Sequence, residues 1–159
     1  MNYKIKKEFM TDNIIREIMN IDKQYYKENY TLQWYKDRYN KNNIAFCLYD
    51  EEKIIGYIVG AGIKKELYDD IKKGKYDNDY NIDSHLYDYK SKFIYISSIN
   101  ILEQYRKKGL GTKLLCELLT YYKNNIIAIT VSKGGYNLAK RKMNHIMNVD
   151  KGIDIFEIK

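Results

Sequence analysis

The sequence predicts a single α/β domain, and three observations support that prediction. The chain has 159 residues, the size of one ordinary domain. Apolar residues account for 45% of it, which is enough to build a core. Strand-like apolar runs alternate with stretches of helical periodicity along the whole chain. We therefore treat residues 1–159 as one domain that contains both element types.

Two helices are predicted near the start, after a first strand over residues 3–9. Thr11 and Thr31 each offer a side chain that can cap a helix N-terminus, and each precedes apolar residues at helical spacing. The only tryptophan, Trp34, falls in the second helix. We interpret it as a core residue.

Strands two and three are predicted as a hairpin. Residues 44–49 and 54–59 are apolar runs separated by four polar residues, a length typical of a hairpin loop. Gly60 and Gly62 prolong the third strand and indicate either a bulge or a close approach of another backbone.

Residues 64–92 interrupt this pattern. They begin with a predicted short helix closed by Gly74 and continue as a long polar stretch. Seven acidic and seven basic residues balance here, and little contribution to the core is expected. We interpret the segment as a long insertion, either functional or merely tolerated on the surface. Its aspartates lack the glycine and glutamate of a calcium loop, so no metal site is predicted.

The strongest predicted strand, over residues 93–102, contains a change of phase. Its isoleucines fall at even positions before Ser97 and at odd positions after Ser98. A shift of one residue is what a β-bulge produces. We therefore expect a bulge at the two serines.

The last third of the chain predicts two helices and two further strands. A helix that starts at Leu110 is followed by a buried fifth strand over residues 126–131. A glycine-containing turn comes next, and apolar residues at helical spacing then predict a last helix that extends to Met147. An alternating strand over residues 153–158 ends the pattern.

The turn before the Leu110 helix is basic and contains two glycines. Gly109 and Gly111 would let backbone N–H groups approach a ligand closely, at the positive end of a helix dipole. Phosphate groups bind at such places, although a solvated basic turn is the alternative. A Walker A loop is excluded because one residue, not four, separates the glycines. A Rossmann fingerprint lacks its third glycine, where Leu114 stands.

The positive charge is concentrated in the same part of the chain. Residues 93–159 carry eleven basic and five acidic residues, whereas residues 1–63 carry ten and nine. This distribution fits a ligand with several phosphate groups. Binding of nucleic acid is disfavoured, because no aromatic and basic recognition motif is visible.

The remaining composition indicates a cytoplasmic protein. The first residues lack an apolar signal core, and no apolar run is long enough to span a membrane. Cys47 and Cys116 have no metal-binding spacing, and we expect both to be buried, reduced thiols.

The apolar strand, the basic turn and the leucine-rich helix together resemble the cofactor motif of the GNAT superfamily of N-acetyltransferases, Gln/Arg-x-x-Gly-x-Gly/Ala. Arg106 takes its first place, and Gly109 and Gly111 take the glycine places. The order of the elements resembles this family along nearly the whole chain. The resemblance implies a mixed, mostly antiparallel central sheet with a bulged fourth strand and helices on both faces.

The resemblance also implies that acetyl-coenzyme A is bound as a co-substrate. Its pyrophosphate would lie on the turn, and its pantetheine arm would pair with the exposed backbone of the bulged strand. A primary amine, of a small molecule or a protein, would be the second partner, and a homodimer is a possible assembly. The cofactor-binding residues expected are Ile99, Asn100, Ile101, Arg106, Lys107, Lys108, Gly109, Leu110, Gly111, Thr112 and Asn137.

The catalytic acid expected from the family is missing from its usual place. In the resembled ending a tyrosine follows an alanine by four residues, and if Ala139 is that alanine, the position holds Met143. Tyr136 is the nearest phenol and is our candidate catalytic residue. The missing tyrosine favours one alternative, a non-catalytic acyl-coenzyme A-binding module. A basic nucleic-acid-binding domain is the other.

Transfer of an acetyl group to an amine also calls for a base, because only a neutral amine attacks. The bulged strand contains no carboxylate. His85 and Asp83 in the insertion remain alternatives, as does a water held by Ser97, Ser98 or Asn100. The insertion at 64–92 is then the candidate flap for binding the acceptor.

Overall fold

The computed structural model describes residues 3–26 and 30–158 of the chain. Its strands are β1 Lys4–Phe9, β2 Ile44–Asp50, β3 Lys53–Ile63, β4 Phe93–Ile101, β5 Ile126–Thr130, β6 Asn144–Asp150 and β7 Ile153–Ile158. Its α-helices are α1 Asp12–Asp22, α2 Leu32–Arg38, α3 Lys65–Lys72, α4 Leu110–Tyr122 and α5 Lys133–Ala139. Both element types are distributed along the chain as the sequence predicts.

Within the described residues, seven strands form one sheet in the order β1-β2-β3-β4-β5-β7-β6. All neighbouring strands are antiparallel except β4 and β5, which are parallel. The predicted mixed, mostly antiparallel sheet is therefore confirmed.

The predicted bulge lies in β4. Val59 of β3 pairs with Ser98, and the next residue, Gly60, pairs with Ile96. Ser97 is thus an extra residue without a pairing partner in β3. Beyond this point β4 leaves β5, whose pairing with β4 stops at Ile96. The two parallel strands therefore diverge from the bulge onwards.

Helices cover both faces of the sheet, as expected. Tyr57 of β3 points to the face of α1, where its hydroxyl donates to Asp22. Gly60, three residues along the strand, points to the opposite face because side-chain directions alternate. A Cβ at Gly60 would lie 3.2 Å from Leu118 and 2.8 Å from Tyr122, both in α4.

The first two helices begin at the capping threonines. Thr11 Oγ1 accepts a hydrogen bond from the backbone N–H of Ile14 at 3.4 Å, and Thr31 Oγ1 accepts one from Trp34 at 3.1 Å. Each bond satisfies a donor that the first helical turn would otherwise leave unpaired. Local capping chemistry thus places both helix starts correctly.

The segment 64–92 adds a second core, contrary to our expectation. Its buried side chains pack against the part of the sheet near β5 and β7. They are Leu67, Tyr68, Ile71, Ile82 and Leu86. The charged side chains of the segment are exposed or half-buried, so the composition conceals an amphipathic pattern.

Both ends of this segment are tied to the end of β3. Lys64 donates its backbone N–H to Leu86 at 2.9 Å, and Asp88 donates to the carbonyl of Gly62 at 2.8 Å. A Cβ at Gly62 would collide with the backbone carbonyl of Asp88. The close backbone approach that the glycine indicates is therefore present, and the segment closes on itself rather than hanging free.

The prediction of a last helix extending to Met147 is wrong. Helix α5 ends at Ala139, and the residues after Met143 form β6, which pairs with β7 through a turn containing Gly152 (φ +79°). Lys133 and the glycines assigned to a turn begin α5 instead, capped by Ser132. Apolar residues three and four apart fit a helix locally, but strand pairing satisfies more backbone groups here.

Two further expectations concern the membrane and the cysteines. None of the helices in the described part of the chain has both the length and the apolar character needed to cross a bilayer. Cys47 is buried, and burial raises the pKa of its thiol to about 12. Cys116 is partly exposed, so the expectation of two buried thiols holds for one of them.

Candidate active site

The divergence of β4 and β5 exposes a stretch of backbone. Leu102 donates its N–H to the carbonyl of Ile55 in β3 at 2.9 Å. Antiparallel partners exchange backbone hydrogen bonds at every second residue, so the backbone N–H and C=O groups of Asn100 also point to β3. The N–H and C=O groups of Ile99 and Ile101 therefore point towards the gap beside β5.

A cleft of about 660 Å³ occupies this gap. Its walls come from the end of β4, the turn and first residues of α4, the end of β5, and α5. The sequence-predicted cofactor residues that line it are Ile99, Asn100, Ile101, Arg106, Lys107, Gly109, Leu110, Gly111, Thr112 and Asn137. The structure thus brings ten of the eleven together.

Lys108 is the predicted residue that lies elsewhere. Its ammonium lies 3.3 Å from the Tyr3 hydroxyl and 5.4 Å from the centre of the Tyr105 ring. The side chain therefore points along the outer surface of the turn, away from the cleft.

The N-terminus of α4 opens into the cleft. Gly109 is its N-cap and has a left-handed conformation (φ +75°), which a glycine adopts without cost. As a glycine it has no capping side chain, so the N–H groups of the first turn keep their capacity to bind an anion. A Cβ at Gly111 would lie 3.6 Å from Leu138 and 3.7 Å from Ile101, which are both cleft residues.

The cleft is basic. Arg106, Lys107 and Arg141 line it, and no acidic side chain does so among the described residues. Arg106 Nε donates to the carbonyl of Ile101 at 2.9 Å, and its guanidinium stacks on the Tyr25 ring at 4.2 Å. Arg106 therefore also stabilises the end of β4. Sequence reasoning missed Arg141, which lies beyond α5 and outside the quoted motif.

A second cavity, of about 560 Å³, lies on the other side of the bulge. Ser97 and Ser98 line both cavities, so the two meet at the extra residue of β4. We call the first the cofactor cleft and the second the acceptor pocket, after the ligands that the sequence predicts. Seven aromatic residues line the acceptor pocket: Tyr26, Tyr30, Trp34, Tyr35, Tyr39, Tyr80 and Tyr95.

Trp34 therefore lines the pocket, and its partly buried side chain also packs against the main hydrophobic core, as the sequence predicts. Its ring contacts Tyr30 at 4.5 Å between centroids, and the Arg38 guanidinium covers it at 4.1 Å. Residues 77–81 of the insertion form one wall of the same cavity, and a role of the insertion as acceptor flap stays a prediction.

A buried carboxylate, Asp22, lies where the two cavities meet. It is 5% exposed and accepts hydrogen bonds from Tyr35 (2.5 Å), Tyr57 and Asn100 (2.9 Å). Burial raises the pKa of this carboxyl, and the three hydrogen bonds offset part of that increase. Asp22 is consequently a stronger base than an exposed aspartate.

Ser98 is connected to this carboxylate through a phenol. The Tyr57 hydroxyl donates to Asp22 and lies 2.7 Å from Ser98 Oγ. Since its one proton is given to Asp22, Tyr57 accepts from Ser98. Ser98 Oγ is then left with lone pairs to accept a proton at the point where the cavities join.

A second carboxylate lines the acceptor pocket from the insertion. The pKa of Asp79 is raised to about 6, mainly by burial and to a smaller extent by the charge of Asp22, against the lowering effect of Arg38. Arg38 itself donates to the carbonyl of Ile82 at 3.0 Å. Sequence reasoning named neither Asp22 nor Asp79 as a site residue, since nothing local marks them.

The structure does not bring the sequence-predicted catalytic residue to the cleft. Tyr136 packs its ring against Phe156 at 5.5 Å and His145 at 6.2 Å, on the other side of α5. Met143, at the position expected for the tyrosine, lines the cleft with a side chain that cannot donate a proton.

The candidate bases His85 and Asp83 lie outside both cavities, whereas Ser97, Ser98 and Asn100, the alternatives for holding a water, line them. His85 and Asp83 form an exposed pair, with 2.8 Å between Nδ1 and Oδ1. No group of three or more histidine, cysteine, aspartate or glutamate side chains suited to a metal ion occurs in residues 3–26 and 30–158.

Comparison with known proteins agrees with this geometry. The model of the acetyltransferase (GNAT) family matches residues 13–141. The chain therefore belongs to the GNAT acetyltransferase family. No curated protein sequence matches it.

Solved structures resemble the fold along its full length at low sequence identity. An N-acetyltransferase from Staphylococcus aureus Mu50 has 14% identity and a TM-score of 0.65, with 100% of this chain and 99% of that chain covered. Arabidopsis thaliana NAA60 in complex with acetyl-CoA has 16% identity and a TM-score of 0.64, with 98% and 97% covered. The GphF GNAT-like decarboxylase in complex with isobutyryl-CoA has 10% identity and a TM-score of 0.68, with 97% and 100% covered.

Proposed function

We propose that this protein is an N-acetyltransferase that transfers the acetyl group of acetyl-coenzyme A to a primary amine. One observation carries the proposal: a basic cleft with an open helix N-terminus meets an acidic, aromatic pocket at Ser97 and Ser98. Such a junction suits a reaction between an anionic, phosphate-bearing substrate and a cationic one. Its free cysteines are compatible with a reducing compartment, so we place the activity in the cytoplasm.

The residues of the cofactor cleft fit acetyl-coenzyme A. Leu110, Gly111 and Thr112 would direct the N–H groups of the first turn of α4 to its pyrophosphate. The backbone groups of Ile99 and Ile101 would pair with its pantetheine amides, although the Ile101 carbonyl already accepts from Tyr25 at 3.2 Å and Arg106 at 2.9 Å. Acetyl-coenzyme A would supply an acetyl group that is activated as a thioester.

We assign proton removal from the amine to the chain Ser98, Tyr57 and Asp22. An alkylamine reaches the pocket as an ammonium ion and becomes a nucleophile only after it loses a proton. Ser98 Oγ accepts this proton and passes its own to Tyr57, which passes its own to Asp22. The raised pKa of Asp22 makes it a suitable final acceptor.

A second candidate function is binding of an acyl-coenzyme A without transfer to an amine. Met143 favours it, because no phenol stands where the family's tyrosine acid is expected. The resemblance in fold to a GNAT-like decarboxylase adds that this fold is not restricted to amine acetylation. Turnover with an amine separates the two functions.

The proposal is tested by thermal unfolding and by thiol release. A ligand that binds only the folded state at a hundred times its Kd adds about 2.7 kcal/mol of stability, and millimolar acetyl-coenzyme A should raise Tm by several degrees. Thiol release should then depend on an added amine. An unchanged Tm, for protein shown by mass spectrometry to carry no bound coenzyme A, would refute the cofactor assignment. A shift without amine-dependent release would favour the second function.

A further inference from the structure

The acceptor pocket differs from ordinary protein surface in its charge. Asp22, Asp77 and Asp79 line it, and no lysine or arginine does so among the described residues. Asp22 is almost completely buried, and Asp79 is half-buried. Charged groups in such positions require a nearby counter-charge. Arg38 is near Asp79, but its guanidinium lies on Trp34 outside the cavity lining.

The carboxylates of Asp22 and Asp79 also repel each other. The charge of Asp22 raises the pKa of Asp79, so the two carboxylates interact electrostatically inside the pocket. A ligand with one positive charge relieves this repulsion in part. A ligand with two positive charges neutralises both carboxylates.

The aromatic walls suit the same kind of ligand. Tyr30, Trp34 and Tyr80 lie at the side of the pocket near the insertion, with 6.0 Å between the Tyr30 and Tyr80 ring centres. Tyrosine ring faces attract an ammonium group, whereas Trp34, which Arg38 already covers, contributes apolar area that accommodates a methylene chain. The cavity volume of about 560 Å³ is in the range of small-molecule sites.

We propose that the acceptor is a small alkyl diamine or polyamine. Its reacting amine would lie at Ser98, and its second ammonium would lie among Asp79, Asp77 and the aromatic rings. This inference rests on the proposed function, since it names the substrate class of the same site. A carboxylate at the far end of the acceptor would be rejected.

Calorimetry on the full chain, saturated with coenzyme A, tests the pocket without requiring turnover. The probes are butane-1,4-diamine, butan-1-amine and 4-aminobutanoate at pH 7.5, which share the reacting amine and differ at the far end. We expect the diamine to bind at least about tenfold more tightly than the monoamine, and the amino acid to bind most weakly.

The matched variants are Asp79→Asn and Asp37→Asn. Asp79→Asn should bring the diamine to within about threefold of the monoamine, because it removes the partner of the second ammonium. Asp37→Asn removes the same charge from an exposed position on α2 and should keep the preference. The ratios of kcat/KM, measured by thiol release, should follow the same order.

The outcomes separate the two proposals. Equal binding of diamine and monoamine, or an unchanged preference in Asp79→Asn, would overturn the inference about the acceptor. Better turnover of a peptide N-terminus than of the diamine would overturn it as well. Selective binding of the diamine without acetyl transfer would support the pocket's specificity and refute the proposed enzymatic function.

Discussion

The cofactor cleft and the acceptor pocket share two serines but are built from different parts of the chain. The cleft takes backbone groups and glycines from β4 and the first turn of α4, which are close together in sequence, and is completed by the end of β5 and by α5. The pocket is assembled from side chains of α1, α2, β4 and the insertion, which are distant in sequence. Arginines and a lysine line the first, and aspartates line the second.

This difference indicates a division of tasks. A site made of backbone groups tolerates substitution at many side chains, because the N–H and C=O groups persist whatever residue carries them. A site made of side chains changes with each of them. We therefore expect substitutions at the cleft to matter mainly where they add bulk, and substitutions at the pocket to matter mainly where they remove a polar group.

The largest effect is expected from Tyr57→Phe. Both Tyr57 and Tyr35 donate to Asp22, and the Tyr57 hydroxyl also lies 2.7 Å from Ser98 Oγ. Loss of the relay should reduce kcat about a hundredfold, the usual scale of general base catalysis, with KM for acetyl-coenzyme A unchanged. The matched Tyr35→Phe deletes an equivalent hydroxyl and should change kcat less than about threefold.

Steady-state kinetics on both variants, together with the pH profile of kcat, test whether Tyr57 takes part in proton transfer. Equal losses would show that Asp22 needs its hydrogen bonds only to hold the fold. The proton route would then have to be assigned to other groups.

A smaller effect is expected from Gly111→Val in the cofactor cleft. The protein itself leaves room for a Cβ there, since the nearest atoms lie at 3.6 Å and 3.7 Å. The branched side chain would instead occupy space needed by phosphate, and Kd for acetyl-coenzyme A should rise at least about tenfold. Arg106→Ala should raise Kd less, because its guanidinium is partly engaged with Ile101 and Tyr25. Similar small losses in both variants would contradict the phosphate assignment.

The smallest effect, of opposite sign, is expected on stability from Asp79→Asn. The folded-state pKa of Asp79, about 6, lies above the ordinary value of 3.8, so ionisation of Asp79 destabilises the folded state. The amide variant avoids this cost. Below about pH 4 both proteins should be equally stable. Between pH 4 and 6 the variant should gain, and above pH 6 its advantage should be constant at about 1 to 3 kcal/mol.

Urea unfolding at pH 4, 5, 6 and 7.5 measures this difference. A constant difference at all four values, or greater stability of the unsubstituted protein at pH 7.5, would be inconsistent with a destabilising carboxylate. Together with the calorimetry above, a gain in stability with a loss of binding would show that the pocket is arranged for a ligand rather than for the fold.

The insertion shows how far composition can mislead. Its balanced charges predicted little contribution to the core, and replacement of residues 75–86 by a linker would follow as a simple test of its role. Ile82, however, is buried in the second core, so such a replacement would unfold part of the domain. Single substitutions at Asp77 or Asp79 are the sharper test.

Several features could be read from the sequence because their causes are local. Thr11 and Thr31 cap their helices by accepting from the N–H group three residues further on. The change in the spacing of the isoleucines likewise predicts the bulge at Ser97. The glycine turn before α4 is also local, since conformational freedom and helix geometry decide it. These features were sufficient to predict the fold class and ten of the residues that line the cofactor cleft.

Other features depend on contacts that only the tertiary structure makes. Asp22 meets Tyr57 across 35 residues and Asn100 across 78, and no local pattern distinguishes it from the other acidic residues of the chain. Tyr136 is adjacent in sequence to residues that line the cleft, but the orientation of α5 directs its ring towards Phe156. The residues after Met143 have helical spacing, yet pairing with β7 makes them a strand. Propensity and spacing act over a few residues, whereas burial, charge coupling and strand pairing depend on which distant segments the folded chain brings together.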